Sequence, residues 1–153
     1  RLALVARDDY PALLRAAAFA AQAGAALLPV ADVAAIDPRW AETWPGAQTF
    51  VFTSDRKPAT GAGAIVVRDD GEALKALRAF APDRHPTTLV VASPADRDGM
   101  FSPSSLSLVA PLVSAIHDAP LLLVRDKSPE AVEQQALAFI DAHRLPTTHI
   151  VLV

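Results

Sequence analysis

The chain of 153 residues contains no cysteine, so it can form no disulfide, use no thiolate nucleophile and offer no cysteine ligand to a metal. Its net charge of −3 does not supply the basic field that nucleic-acid binding needs, so we expect no nucleic-acid partner. No apolar run reaches the roughly 18–20 residues of a membrane span, so we expect no membrane-spanning segment. Hydrophobic residues make up 52% and charged residues 20%, which is typical of a globular protein.

The motifs of common nucleotide sites, hydrolases and metal sites are also missing. There is no Walker A segment, no GxSxG and no HExxH, and Gly61-Ala62-Gly63 precedes a predicted strand instead of following one. The segment 96–99 resembles part of a calcium loop, but Pro94 and Ser105 stand where two essential ligands belong. We therefore predict no metal, no cofactor and no catalytic residue, and favour a protein that is not an enzyme.

Seven short apolar runs predict β-strands. Most of them lack polar alternation, which is typical of strands buried on both faces of a parallel sheet. Helical segments lie between most of them, so the chain is predicted to be an α/β protein: a Rossmann-like, mostly parallel sheet with helices on both faces. The predicted strands are Leu2–Ala6, Ala26–Val30, Thr49–Thr53, Ala64–Val67, Thr88–Ala92, Leu121–Val124 and His149–Val153.

The helices have recognisable first and last residues. Asp8 or Asp9 can cap a helix from Pro11 to Ala23, and Gly24 can end it. Other helices are predicted to begin at 69–72, at Ser128 with the range 129–143, and at Ser102 with the range 103–117. Pro111 falls inside the last range, so we expect it to kink that helix or to end a shorter one.

Two stretches of the chain follow the same order. Residues 2–30 and 88–124 each read as strand, polar loop, aromatic residue before a proline, small-residue helix and second strand. We predict a single α/β domain over 1–153, built from two related βαβ-type units. Unit 1 covers about 1–53, a polar connection 54–63, and unit 2 about 64–153. Because the chain opens and closes on strand-like segments, we expect it to be excised from a larger protein.

The second unit carries Phe101 and Pro103 before a small-residue helix, then the segment 118–124 and a valine-rich last strand. The first unit echoes this in 10–14 and 24–28. This pattern resembles the bacterial cell wall-binding repeat family of the second type. The aspartate that follows Phe-Pro in that family is Ala12 in the first unit, and in the second unit it falls among serines.

The resemblance implies a non-catalytic domain of a secreted bacterial protein that binds or anchors to an envelope or cell-wall polysaccharide. It implies an extracellular or cell-envelope location, with a cytoplasmic one still open. It also implies repeats that act together, so a homo-oligomer is an open alternative.

The loop Ser93–Ser105 follows a predicted strand and opens a helix, which places it at the carboxyl end of the sheet, where α/β folds bind ligands. Arg97 could hold a phosphate or carboxylate there, and the equivalent first loop holds Arg7, so both arginines could approach one groove. Tyr10, Trp40 and Trp44 could stack on a sugar ring. The predicted ligand-binding residues are Arg7, Asp8, Asp9, Ser93, Asp96, Arg97, Ser102, Ser104 and Ser105.

Two other functions stay open. The chain could be the Rossmann-like part of an enzyme that binds a small ligand or a sugar nucleotide at the carboxyl ends of the strands. It could also be a structural or assembly module.

Overall fold

A computed structural model describes residues 1–33, 44, 46–55, 63–98, 106–126 and 128–153. These residues form seven strands and four α-helices, with 3₁₀ turns at Pro94–Asp98 and Leu106–Val109. In chain order the elements are β1 (Leu2–Ala6), α1 (Tyr10–Ala23), β2 (Ala26–Val30), β3 (Thr49–Phe52), β4 (Ile65–Val67), α2 (Asp70–Phe80), β5 (Thr88–Ala92), α3 (Ala110–Ile116), β6 (Leu121–Leu123), α4 (Pro129–His143) and β7 (His149–Leu152).

The strands form two sheets, and the predicted α/β fold class is confirmed. The first sheet has the order β2-β1-β3-β4 and the second has the order β6-β5-β7, with every described strand pair parallel. In each sheet the first strand along the chain lies between the second and the third. Strand β4, which lies in the predicted second unit, pairs with β3 in the first sheet. The descent of the two units from one repeat stays a prediction.

The helix ends follow from capping chemistry. The Asp9 carboxylate accepts from the backbone N–H of Ala12 at the start of α1, and Gly24 ends that helix in the left-handed region at φ 60°. Helices α2 and α4 begin in the same way at Asp69 and Ser128. These four predictions from the sequence are confirmed.

The prediction for Pro111 was wrong. In the described part of the range 103–117, the 3₁₀ turn Leu106–Val109 comes first, and Pro111 lies in the first turn of α3. The first N–H groups of a helix have no partner within it, so a proline there sacrifices no hydrogen bond. Pro111 therefore starts a helix and does not end one.

Helix α1 lies between the two sheets. Ala12, Ala16 and Phe19 pack in a buried cluster with the first sheet, whereas Leu14 and Ala18 pack in a second cluster with β5 and β6. A helix that is apolar on all sides can be buried between two layers, and its many alanines keep it thin. Helix α4 covers the opposite face of the second sheet.

A buried ion pair links helix α1 to the second sheet. Arg15 Nε lies 2.6 Å from Asp70 Oδ1, and Asp70 Oδ2 accepts from the backbone N–H of Leu123 at 2.9 Å. Burial raises the pKa of Asp70 above its ordinary value, although the Arg15 guanidinium and the Leu123 hydrogen bond act in the opposite direction. Asp70 thus joins α1, α2 and the edge strand β6.

Candidate functional site

A cleft of about 350 Å³ lies at the carboxyl ends of strands β1, β3, β5 and β6. Residues that follow each of these strands contribute to it. Ligands of open parallel sheets bind at this end, because the loops and helix N-termini converge there. The lining residues are Asp8, Asp9, Tyr10, Pro11, Ser54, Pro94, Ala95 and Arg125. The loops after β1 and β5, both predicted as ligand loops, therefore meet in one cleft.

Asp9 joins the start of helix α1 to the end of strand β3. Its Oδ1 accepts from the Ala12 backbone N–H at 3.1 Å and from the Ser54 hydroxyl at 2.7 Å. Its Oδ2 accepts from the Ser54 backbone N–H at 2.6 Å. With both oxygens engaged, this carboxylate fixes the shape of the cleft and has little capacity left for a ligand.

A chain of hydrogen bonds holds Tyr10 in the wall of the cleft. Asp96 accepts from both the hydroxyl and the backbone N–H of Ser107, at 2.6 and 2.8 Å. The Tyr10 hydroxyl lies 2.6 Å from Ser107 Oγ. Since the Ser107 proton goes to Asp96, Tyr10 is the donor in its bond to Ser107. The Tyr10 ring is thereby tied to the segment that precedes helix α3.

Asp8 and Arg125 are the exposed charged side chains of the cleft. Neither makes a hydrogen bond or ion pair with another residue in the described ranges. They follow β1 and β6, which are strands of different sheets. A ligand in the cleft would thus meet one anionic and one cationic group across a preformed wall.

Two of the predicted site residues line the cleft, and others lie behind it or outside it. Asp8 and Asp9 are in the lining, whereas Arg7 is exposed beside it and uses its backbone N–H to bond Val30. Ser93 and Asp96 are not among the lining residues, and Asp96 acts indirectly through Tyr10 and Ser107.

The remaining predicted residues cannot be assigned a role from the structure. The backbone of Arg97 lies in the 3₁₀ turn Pro94–Asp98, but its side chain lies outside what the structure describes. The approach of Arg7 and Arg97 to one groove therefore stays a prediction. Four further predicted residues lie outside the described ranges: Trp40, Ser102, Ser104 and Ser105.

The sequence interpretation missed several lining residues. Ser54, Pro94 and Arg125 were not predicted as ligand-binding residues, although each comes within two residues of the end of a strand. That position was the available signal, because the residues after parallel strands gather at one edge of a sheet.

A larger cleft, of about 720 Å³, lies between α2 and α4, and Asp69, which follows the end of β4, lines it. Several of its polar groups are engaged within the fold. Asp69 caps α2, Glu72 accepts from the backbone N–H of Arg68, and Arg78 donates to the backbone oxygen of His143. We therefore favour the smaller cleft as the functional site.

The described residues include no group of three or more His, Cys, Asp or Glu side chains that could hold a metal ion. No helix in the described part of the chain has the length and apolar character needed to cross a membrane. Comparison of the chain with protein-family models, with curated proteins and with solved structures finds no match.

Proposed function

We propose that the chain is a non-catalytic binding domain that holds a segment of a bacterial envelope polysaccharide in the cleft at the carboxyl ends of its strands. The observation that carries the proposal is the convergence of the loops after β1, β3, β5 and β6 on one preformed cleft. The resemblance to cell wall-binding repeats supplies the polymer and the location outside the cell membrane.

The cleft suits one or two sugar units in size and chemistry. Its volume of about 350 Å³ lies at the lower end of small-ligand sites. Pro11 and Ala95, which are partly exposed, offer apolar surface to the C–H face of a sugar ring. Asp8 and Arg125 offer charge-assisted hydrogen bonds to its hydroxyl, carboxylate or phosphate groups.

Binding without catalysis is supported by how the acidic groups are used. Glycoside hydrolysis needs two carboxyl groups that are free to act on the substrate. Asp9 accepts three hydrogen bonds from the fold, so Asp8 is the lining carboxylate without such bonds to described residues. Because the chain carries a net charge of −3, recognition would rest on directed hydrogen bonds and not on attraction to a polyanion.

The test is co-sedimentation of the purified chain with bacterial cell walls. Asp8→Ala/Arg125→Ala should weaken binding at least tenfold, because each lost charge-assisted hydrogen bond contributes about 1.5–3 kcal/mol. The control is Lys75→Ala/Glu133→Ala, which removes the same two charges from α2 and α4. Equal binding by wild type and the first variant would refute the proposal. A loss confined to the control variant would move the site to the cleft between α2 and α4.

One observation favours a second candidate, the sugar-nucleotide-binding part of an enzyme. Arg125 is exposed in the cleft, and a guanidinium can bind a phosphate through two parallel hydrogen bonds. Thermal-shift measurements with nucleotides and sugar nucleotides test it. A saturable stabilisation that Arg125→Ala abolishes, together with no cell-wall binding, would favour this candidate over the first.

A further inference from the structure

Helix α3 and the 3₁₀ turn before it carry a continuous apolar strip that faces solvent. We call this the α3 strip; its side chains are between 44% and 70% exposed. It consists of Leu106, Leu108, Val109, Leu112 and Ile116. None of these residues lines the cleft described above, so an inference from the strip does not depend on the function of that cleft.

The exposed and buried side chains of this segment are distributed differently from those of a helix that only covers a sheet. Its fully buried positions hold small residues, Ser107, Ala110 and Ser114. Its large aliphatic residues face outward instead, except Val113, which packs against the core beneath the helix. A helix that served only to cover the second sheet would place its large apolar residues inward and its polar residues outward. The α3 strip therefore has the composition of a contact surface.

The charge pattern indicates what kind of partner fits. The segment 106–116 contains no charged residue, so a polyanion or a charged peptide would find no ion-pair partner along it. Interfacial membrane helices carry lysine or arginine beside their apolar face, and this segment carries neither. An uncharged aliphatic surface is best complemented by another one of the same kind, which a second copy of the chain supplies.

The geometry and area allow a pairing of two copies. Leu112 and Ile116 lie four residues apart on α3 and so share one face of the helix, which can pack against its own copy across a two-fold axis. With these exposed fractions the strip leaves roughly 500 Å² of mostly apolar surface in water, comparable to the largest patches on monomers. Two copies would bury about 1,000 Å², the lower limit for a specific interface.

We propose that the α3 strip is the interface of a two-fold homodimer. Sedimentation velocity over a concentration series from about 1 μM to about 1 mM should show the mass rising from 16.1 kDa to twice that value. Leu112→Glu should weaken the dimer at least tenfold, because it places like charges opposite each other near the axis. Leu137→Glu is the matched control, since Leu137 is 50% exposed on α4, away from the strip.

Because the chain contains no cysteine, disulfide cross-linking of an introduced cysteine can test the same interface. Leu112→Cys would introduce a single thiol per chain, and oxidation should convert it to a disulfide-linked dimer. Leu137→Cys should stay monomeric under the same conditions. A wild-type chain that is monomeric at every concentration would overturn the proposal. So would a trimer, or a dimer that only Leu137→Glu disrupts, or a monomer that binds neutral lipid vesicles through the strip.

Discussion

Removal of only one member of the Arg15–Asp70 pair should destabilise the protein, because it leaves the other side chain buried without its partner. The two side chains are only 13% and 10% exposed, and their charged atoms lie 2.6 Å apart. Arg15→Met leaves a buried carboxylate with one hydrogen bond, from Leu123. Asp70→Asn leaves a buried guanidinium without a counter-ion. Arg15→Met should lose about 3–5 kcal/mol of unfolding free energy, the usual cost of an uncompensated buried charge, and Asp70→Asn should lose less, because burial already favours the neutral form of this side chain.

The raised pKa of Asp70 predicts the direction in which the stability of the protein changes with pH. The folded-state pKa of Asp70 is raised, mainly by burial, above its ordinary value of 3.8. The stability that Asp70 contributes is therefore fully present below that ordinary value and is lost as the pH rises through the raised folded pKa. In Arg15→Met the opposing guanidinium is gone, so the pKa should rise further and the loss should extend to higher pH. Asp70→Asn has no titrating group at this position, so its stability should not show this loss as the pH rises.

Urea unfolding followed by circular dichroism at several pH values between about 4 and 7 measures these effects. The double variant Arg15→Met/Asp70→Asn keeps an acceptor for the Leu123 N–H, so its loss should fall short of the sum by about 2 kcal/mol or more. Arg84 and Asp118 form the control pair, at the same 2.6 Å but 43% and 52% exposed. Arg84→Ala should cost less than about 1 kcal/mol. Additive losses, or a deficit in Arg15→Met that does not vary with pH, would refute the reasoning.

Three further variants test the core, a helix end and the wall of the cleft. Phe19→Ala should cost about 3–5 kcal/mol in urea unfolding, because the Phe19 ring lies 4.7 Å from that of Phe50 and its removal leaves a cavity. Gly24→Ala should cost about 1–2 kcal/mol from the left-handed backbone alone, since its Cβ would meet no atom within 4 Å; an unchanged melting temperature would contradict this. Ser107→Ala should cost about 1–3 kcal/mol, because the Asp96 and Tyr10 groups lose a buried partner.

The strands were predictable because a parallel sheet places the same demand on every central residue. Both faces are covered, so each position must be apolar, and a run such as Thr88–Ala92 stands out without regard to register. Helix ends were predictable for a similar reason. An aspartate or serine before a helix and a glycine after it satisfy backbone groups locally, whatever the tertiary structure.

The division into two sheets was harder to predict, because it depends on packing between distant segments. Nothing in the residues Ile65–Val67 specifies whether they pair with β3 or with a strand of the second sheet. One signal was available in α1. Its sequence is apolar around nearly its whole circumference, with Arg15 as its one charged residue, and such a helix must be covered on more than one side.

The candidate site shows why aspartates after strands are ambiguous in a sequence. The Asp9 carboxylate accepts hydrogen bonds from the backbone N–H and the hydroxyl of Ser54, and the Asp96 carboxylate accepts them from the same two groups of Ser107. A carboxylate that can bind a ligand can equally bind a serine and its backbone, and only the distance to that serine decides between them. Both aspartates were predicted as ligand groups, and both hold the loops in place. Because these clamps fix the loops before any ligand arrives, binding in the cleft would pay little for ordering the loops, and the contacts would come from neighbours such as Asp8.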